Sequence, residues 1–173
     1  MVAGGAPEVW LRGPLPEYPA TLMPIAHALL QAREDLERVT PEATAEELWR
    51  RPGPAASAGY HLQHLAGSLD RLLTYARGEP LNEGQRAALM REGTPGASGS
   101  ELVAAALAQI DKALDQLRRT PVETLGAARE VGRARLPSTV LGLLFHAAEH
   151  TSRHVGQLIT TLKVVRGPTV AQV

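Results

Sequence analysis

The 173-residue chain contains no cysteine, which removes disulfide frameworks, thiolate zinc sites and cysteine nucleophiles from consideration. Any metal must be held by histidine, aspartate, glutamate or water, and any reactive thiol must come from outside. Charge of one sign is missing too. Lys plus Arg and Asp plus Glu number 18 each, so there is neither a basic footprint for nucleic acid nor a polybasic signal for anionic membranes. No segment approaches the roughly 18 consecutive apolar residues of a membrane span. The N-terminal MVAGGAPEVWLRGP lacks a basic stretch followed by an apolar run. A soluble cytoplasmic protein is expected, with neither nucleic acid nor membrane as partner.

What is present is helical period. The length suits one domain with a single core. Residues 1–16 are rich in Gly and Pro and read as an extended N-terminal arm that Trp10 pins to the body. Residues 17–167 form the domain, and 168–173 a tail. A first long helix from about Pro19 carries Leu22, Ile25, Ala26, Leu29, Leu30, Leu36 and Val39, with Pro24 tolerable in its first turn. Thr40-Pro41 reads as the start of a short helix to Arg50, with Thr44 and Glu47 as a capping box and Trp49 as anchor.

Ser57 opens a second long helix, with Leu62, Leu65, Leu69, Leu72 and Leu73 on its apolar face and Gly78 at its close. A short helix over 83–91 sits in the connection 79–97. Ser98 and Glu101 form another capping box, which starts a third long helix down to Arg119. Thr120-Pro121 begins a helical turn, 126–136 is a charged loop, and Leu136-Pro137-Ser138 starts the fourth long helix. Four long amphipathic helices without an alternating strand pattern give an all-α fold, most simply a four-helix bundle.

The fourth helix, LPSTVLGLLFHAAEHTSRHVGQLITTLK, organises the rest. His146, His150 and His154 recur every four residues and so share one stripe, the buried one marked by Val140, Leu144, Ala147, Val155, Leu158 and Leu162. A pair at i, i+4 can close on one metal ion, but His146 and His154 lie about 12 Å apart along the axis and cannot share one. A further ligand must come from another helix, and the second helix offers His61 and His64. A hydrogen-bonded core column is the bland account of these histidines. Desolvating several imidazoles without a ligand costs free energy that leucines would not, which favours a metal. The lone His27 reads as a surface or satisfied core residue.

His146-Ala-Ala-Glu149-His150 matches the H-x-x-E-H of inverted zinc peptidases. That chemistry needs a later carboxylate ligand, and no Asp or Glu follows Glu149. The segment from His150 to Gln157 instead shows H-x-x-x-H-x-G-Q near the end of a fourth helix. With His64-Leu65-Ala66-Gly67-Ser68 on the second, it resembles the DinB/YfiT-like superfamily of bacterial metal-binding four-helix bundles, over residues 20–165.

The resemblance implies an up-down-down-up bundle with a long crossover between helices two and three. It also implies one divalent ion, zinc or nickel, held by His64, His150 and His154 with an open position. The family often has arginine after the last histidine, where this chain has Val155. On the helical wheel His61 lies nearer the leucine stripe than His64 and so competes with it as the ligand from helix two. With His64 as ligand, reached from the flank of the helix, His61 lies beside the site or faces the substrate, and His146 is a candidate proton carrier or a capped core residue. These two are the candidates for catalytic roles. Gln157 could orient His154, Gly156 would permit close helix approach, and Arg153 belongs at the rim. The resemblance further implies a homodimer and a thiol-dependent S-transferase that joins a low-molecular-weight thiol to a small-molecule electrophilic substrate. A metal-dependent hydrolase and a non-catalytic metal-stabilised bundle are the alternatives.

Overall fold

Helix starts in this chain are set by short polar side chains that satisfy otherwise unpaired N–H groups. In the computed structural model, which describes residues 6–167, Thr44, Ser57, Asn82, Ser98 and Thr139 each accept the backbone N–H three residues on. The helices are α1 (Met23–Val39), α2 (Ala45–Trp49), α3 (Ala58–Ala76), α4 (Glu83–Arg91), α5 (Gly99–Arg119) and α6 (Val140–Arg166). At Thr44, Asn82 and Ser98 a Glu or Gln three residues later returns a bond to the cap's own N–H. Such caps are each worth about 1 kcal/mol.

The fold is all-α apart from a two-stranded antiparallel hairpin, β1 (Ala128–Val131) and β2 (Leu136–Thr139), with Arg129 opposite Ser138 and Glu130 opposite Pro137. This corrects the charged loop expected over 126–136 and the helix start expected at Leu136. Leu136–Thr139 is strand, and Thr139 is the cap from which α6 begins. Two further bonds, Val140 N–H to Ala127 O at 3.1 Å and Leu141 N–H to Leu125 O at 3.0 Å, fasten the first turn of α6 to the preceding segment. Thr40 is also corrected: it ends α1, its hydroxyl donating to Leu36 O at 2.7 Å, and the short helix begins only after Thr44.

The apolar stripes meet in one core. Leu22, Leu29, Leu36, Leu48, Leu62, Leu65, Leu69, Ile110, Leu117, Leu144, Leu158 and Leu162 are fully buried. Removing such a side chain from water stabilises by about 1.5–3 kcal/mol. Helix α3 packs against both α6 and α5, and α1 against both α6 and α5.

Polar cross-links give the directions. His61 meets His154 and His64 meets His150, so α3 and α6 run antiparallel. Gln109 donates to Asp70 and Gln116 to the carbonyl of Leu73, numbers rising together, so α3 and α5 run parallel. Helix α4 lies in the return that a parallel pair requires.

The arm beside α1 is held by Val9, not Trp10. Val9 is buried and its N–H donates to Gln31 Oε1 at 2.9 Å, while Trp10 is exposed and bonds only Glu8. Arg12 adds a two-pronged pair with Glu34 at 2.6 and 2.7 Å. Residues 1–5 of the expected arm and the whole expected tail lie outside the described residues. His27 bonds Gly13 O at 3.3 Å, in line with a satisfied lone histidine. Trp49 packs over Gly59, and Leu48 beside it is the fully buried residue of α2.

Candidate metal centre

The leucine stripe shared by α3 and α6 is interrupted at one level by imidazoles. His64, His150 and His154 each turn a ring nitrogen to a common point, these atoms lying within 4.8 Å of one another, an arrangement that could hold a metal ion. The ring centres are 4.5 to 5.1 Å apart. His64 Nε2 is 3.0 Å from His150 Nε2, and Tyr60 stacks on His64 with ring centres 5.4 Å apart.

His61 and His146 stand outside this cluster. His61 is buried, its Nδ1 3.0 Å from Nδ1 of His154. It therefore backs a cluster residue: the wheel's deeper placement of His61 matches its burial, but the nitrogens that could hold an ion group around His64 rather than His61. His146 is a correction: it is not on the buried face but exposed, 3.4 Å from Glu149. Residues four apart drift by about 40° on a helix, and at His146 the stripe has rotated into solvent. Glu149 binds Arg153 on the same exposed flank, so the H-x-x-E-H match has no carboxylate aimed at the cluster. Gly156 is exposed, and a methyl added there would meet nothing within 4 Å, so no described helix approaches it closely. Gln157 bonds neither His154 nor His61; with His61 and Arg153 it borders an open groove of about 710 Å³.

The residue that sequence reasoning missed is Glu92, just past the end of α4. Its Oε2 accepts from His64 Nδ1 at 2.6 Å and its Oε1 from Arg71 Nη1 at 2.6 Å. Burial pushes the Glu92 carboxyl up, but the bonds from His64 and Arg71 outweigh it and hold the group below the usual carboxylate range. An ionised carboxylate only accepts, so Nδ1 of His64 carries a proton there and Nε2 is the nitrogen that faces the cluster.

Two devices keep Glu92 there. Gln63 accepts from Gly93 N–H at 2.7 Å and donates to Thr94 O at 3.1 Å, which ties the loop to α3. Gly67 leaves the space: a Cβ there would lie 2.6 Å from Glu92 Oε1 and 2.8 Å from Arg71 Nη1. A glycine on α3, one turn after His64, was the available signal that something approaches that face closely.

The donor set fits a divalent cation. Hydrogen bonding among the rings leaves Nδ1 of His150 buried with no partner among the described residues, so the imidazoles do not satisfy one another as a simple column. Burial first, and then the neighbouring imidazoles, push His150 down and His154 down to about 3. Rings kept neutral near pH 7 retain the lone pairs that a metal requires.

The same shift has a stability consequence. His154 is neutral in the folded chain down to about pH 3, whereas unfolded histidine protonates near pH 6.5. Its contribution is therefore complete above about pH 6.5 and is lost progressively as pH falls from there toward 3. The urea midpoint of chelator-treated protein should drop between about pH 7 and pH 5. An unchanged midpoint would show that His154 is not held neutral.

A helical fold that gathers three histidines from two helices at one level defines a small helical protein with a metal-type centre. The family comparison agrees: the model for the DinB superfamily matches residues 28–158, and the chain belongs to that superfamily. Among solved structures, a conserved protein from Enterococcus faecalis is similar, with a TM-score of 0.63 and 22% identity over 83% of this chain and 96% of that one. At that identity the likeness speaks to the fold alone. No curated protein matches. Among the described residues no helix is long and apolar enough to cross a membrane.

Proposed function

We propose that this protein is a metal-dependent enzyme in which His64, His150 and His154 hold one divalent ion, zinc or nickel, and that it is a thiol-dependent S-transferase. The observation that carries it is the convergence of three imidazole nitrogens within 4.8 Å, with Glu92 orienting one of them from behind. An ion bound there would supply Lewis acidity toward water or an incoming thiol. The chain's own residues do the rest. Glu92 fixes the tautomer and ring plane of His64, His61 steadies His154 through Nδ1, and Tyr60 covers the far face of His64. The groove beside His61, with Arg153 and Gln157 on its rim, is the approach for a small-molecule substrate. Absence of cysteine keeps any internal thiol from competing with an external one.

The helix directions support the up-down-down-up four-helix bundle, since α3 and α5 run parallel across the long connection that holds α4. We also propose a homodimer. Phe145, Val164 and Met90 leave large apolar side chains at the surface, and light scattering returning a monomer mass at tens of micromolar would reject it.

The activity test is elemental analysis of protein purified without chelator, followed by conjugation assays of a model electrophile with bacillithiol, mycothiol and glutathione. Close to one equivalent of a divalent metal and conjugation that needs it are expected. Under about a tenth of an equivalent after reloading would end the metal reading. Full metal without conjugation by any thiol would leave hydrolysis or a structural centre.

A further inference from the structure

About 14 Å along α3 from His64, an open cleft of about 630 Å³ separates the ends of α3 and α5 from the start of α6. Its floor is apolar and buried, made by Leu73, Ala76 and Val140. Its walls are cationic: Arg77, Lys112, Arg119 and Arg129 line it, with Asp70 as the one carboxylate. Asp70 is engaged by amide donors, Gln85 Nε2 at 2.8 Å and Gln109 Nε2 at 3.3 Å. On a chain whose charges balance overall, this is a local excess of positive charge over an apolar surface.

Two of the four cations have structural work. Arg129 donates to the carbonyl of Ala76 at 2.8 Å and so closes the end of α3, while Arg77 bonds Gln116 and pairs with Glu79. Lys112 and Arg119 have none. Among the described residues neither takes part in an ion pair or a side-chain hydrogen bond. The negative end of a helix dipole would account for Arg119, in the last turn of α5. It does not account for Lys112, two turns earlier, because that effect fades within the last turn. Seven residues apart, the two exposed side chains share one face of α5 and both line the cleft, Lys112 also lining a neighbouring groove.

We propose that this cleft binds a small organic anion, its carboxylate or phosphate held by Lys112 and Arg119 and its apolar body resting on Leu73, Ala76 and Val140. The site is separate from the histidine cluster and does not rest on the metal reading. Arg77 and Arg129, already held by backbone and side-chain acceptors, add field without moving. A neutral analogue would lack the first half of the recognition and inorganic phosphate the second.

The test is a titration of the full chain with phenyl phosphate, benzoate, inorganic phosphate and benzyl alcohol, followed by amide chemical shifts. Saturable shifts confined to α3, α5 and the first turn of α6 are expected with phenyl phosphate or benzoate, at a Kd below about 1 mM. The tighter of the two names the head group. Inorganic phosphate should bind about tenfold more weakly, and benzyl alcohol should not saturate. Lys112→Gln with Arg119→Gln should weaken binding at least about tenfold while metal content stays unchanged, and Lys112→Gln alone should weaken it in the same direction. No saturation by either aromatic anion up to about 10 mM, equal binding by the variants, or shifts centred on His64, His150 and His154 would overturn the proposal.

Discussion

Replacing His64, His150 or His154 by alanine is expected to abolish stoichiometric uptake of a divalent ion, whereas His61→Ala and His146→Ala should retain it. Among the described residues, these three form the group in which one ring nitrogen from each lies within 4.8 Å of the other two. Two remaining imidazoles cannot hold an ion against water at ordinary free concentrations, while a residue touching a ligand from behind typically tunes affinity by about 10 to 100-fold. His61, bonded to Nδ1 of His154, belongs to that second kind. His146, half exposed on the outer flank, should leave affinity unchanged. Elemental analysis after loading and gel filtration decides it. Stoichiometric metal in His64→Ala, together with loss in His61→Ala, would move the α3 ligand one turn back.

Glu92→Gln is expected to lower metal affinity by about 10 to 100-fold, read by competition with a chromophoric chelator. The amide keeps the shape but loses the charge that holds the proton on Nδ1 of His64. It also leaves Arg71, whose side chain is only 11% exposed, without its carboxylate partner. Gly67→Ala should act in the same direction by a different route. The added methyl collides with the ends of two flexible side chains rather than with backbone, so the urea midpoint should move little while Glu92 is displaced from His64. Full affinity in Glu92→Gln would show that His64 is oriented by its stacking on Tyr60 alone.

The long helices were legible because each carries a stripe at period 3.6 and most begin at a capping residue, as Ser57 and Ser98 do. The triad was legible for a related reason: His150 and His154 are one helical turn apart, and His64 follows from the resemblance of its segment. The hairpin was not. A two-stranded ribbon made of exposed and half-exposed residues buries no full face, so Arg129, Glu130 and Arg135 read as loop charge and Pro137 as a helix start. Trp10 misled by size, since burial in the arm was decided by which side of the 3-10 turn Val9–Leu11 faces α1. Glu92 was invisible for a deeper reason. Its partner is 28 residues away, and no local pattern marks a carboxylate that a return loop will carry back to α3.

The order in which the chain is made gives the centre a further consequence. His64 and His150 are 86 residues apart, so during synthesis at about 5 to 20 residues per second the first waits on the order of ten seconds for the second. All of α1 to α5 can be outside the ribosome while only one of the three imidazoles exists in the emerging chain. Helix α6 must then slide against α3 in the one register that the hairpin at its start allows. A polypeptide that stops before α6 therefore lacks two of the three imidazoles that could hold an ion. On the proposed metal reading, uptake would thus report the docking of α6 on α3, and a chain cut before Val140 should take up none.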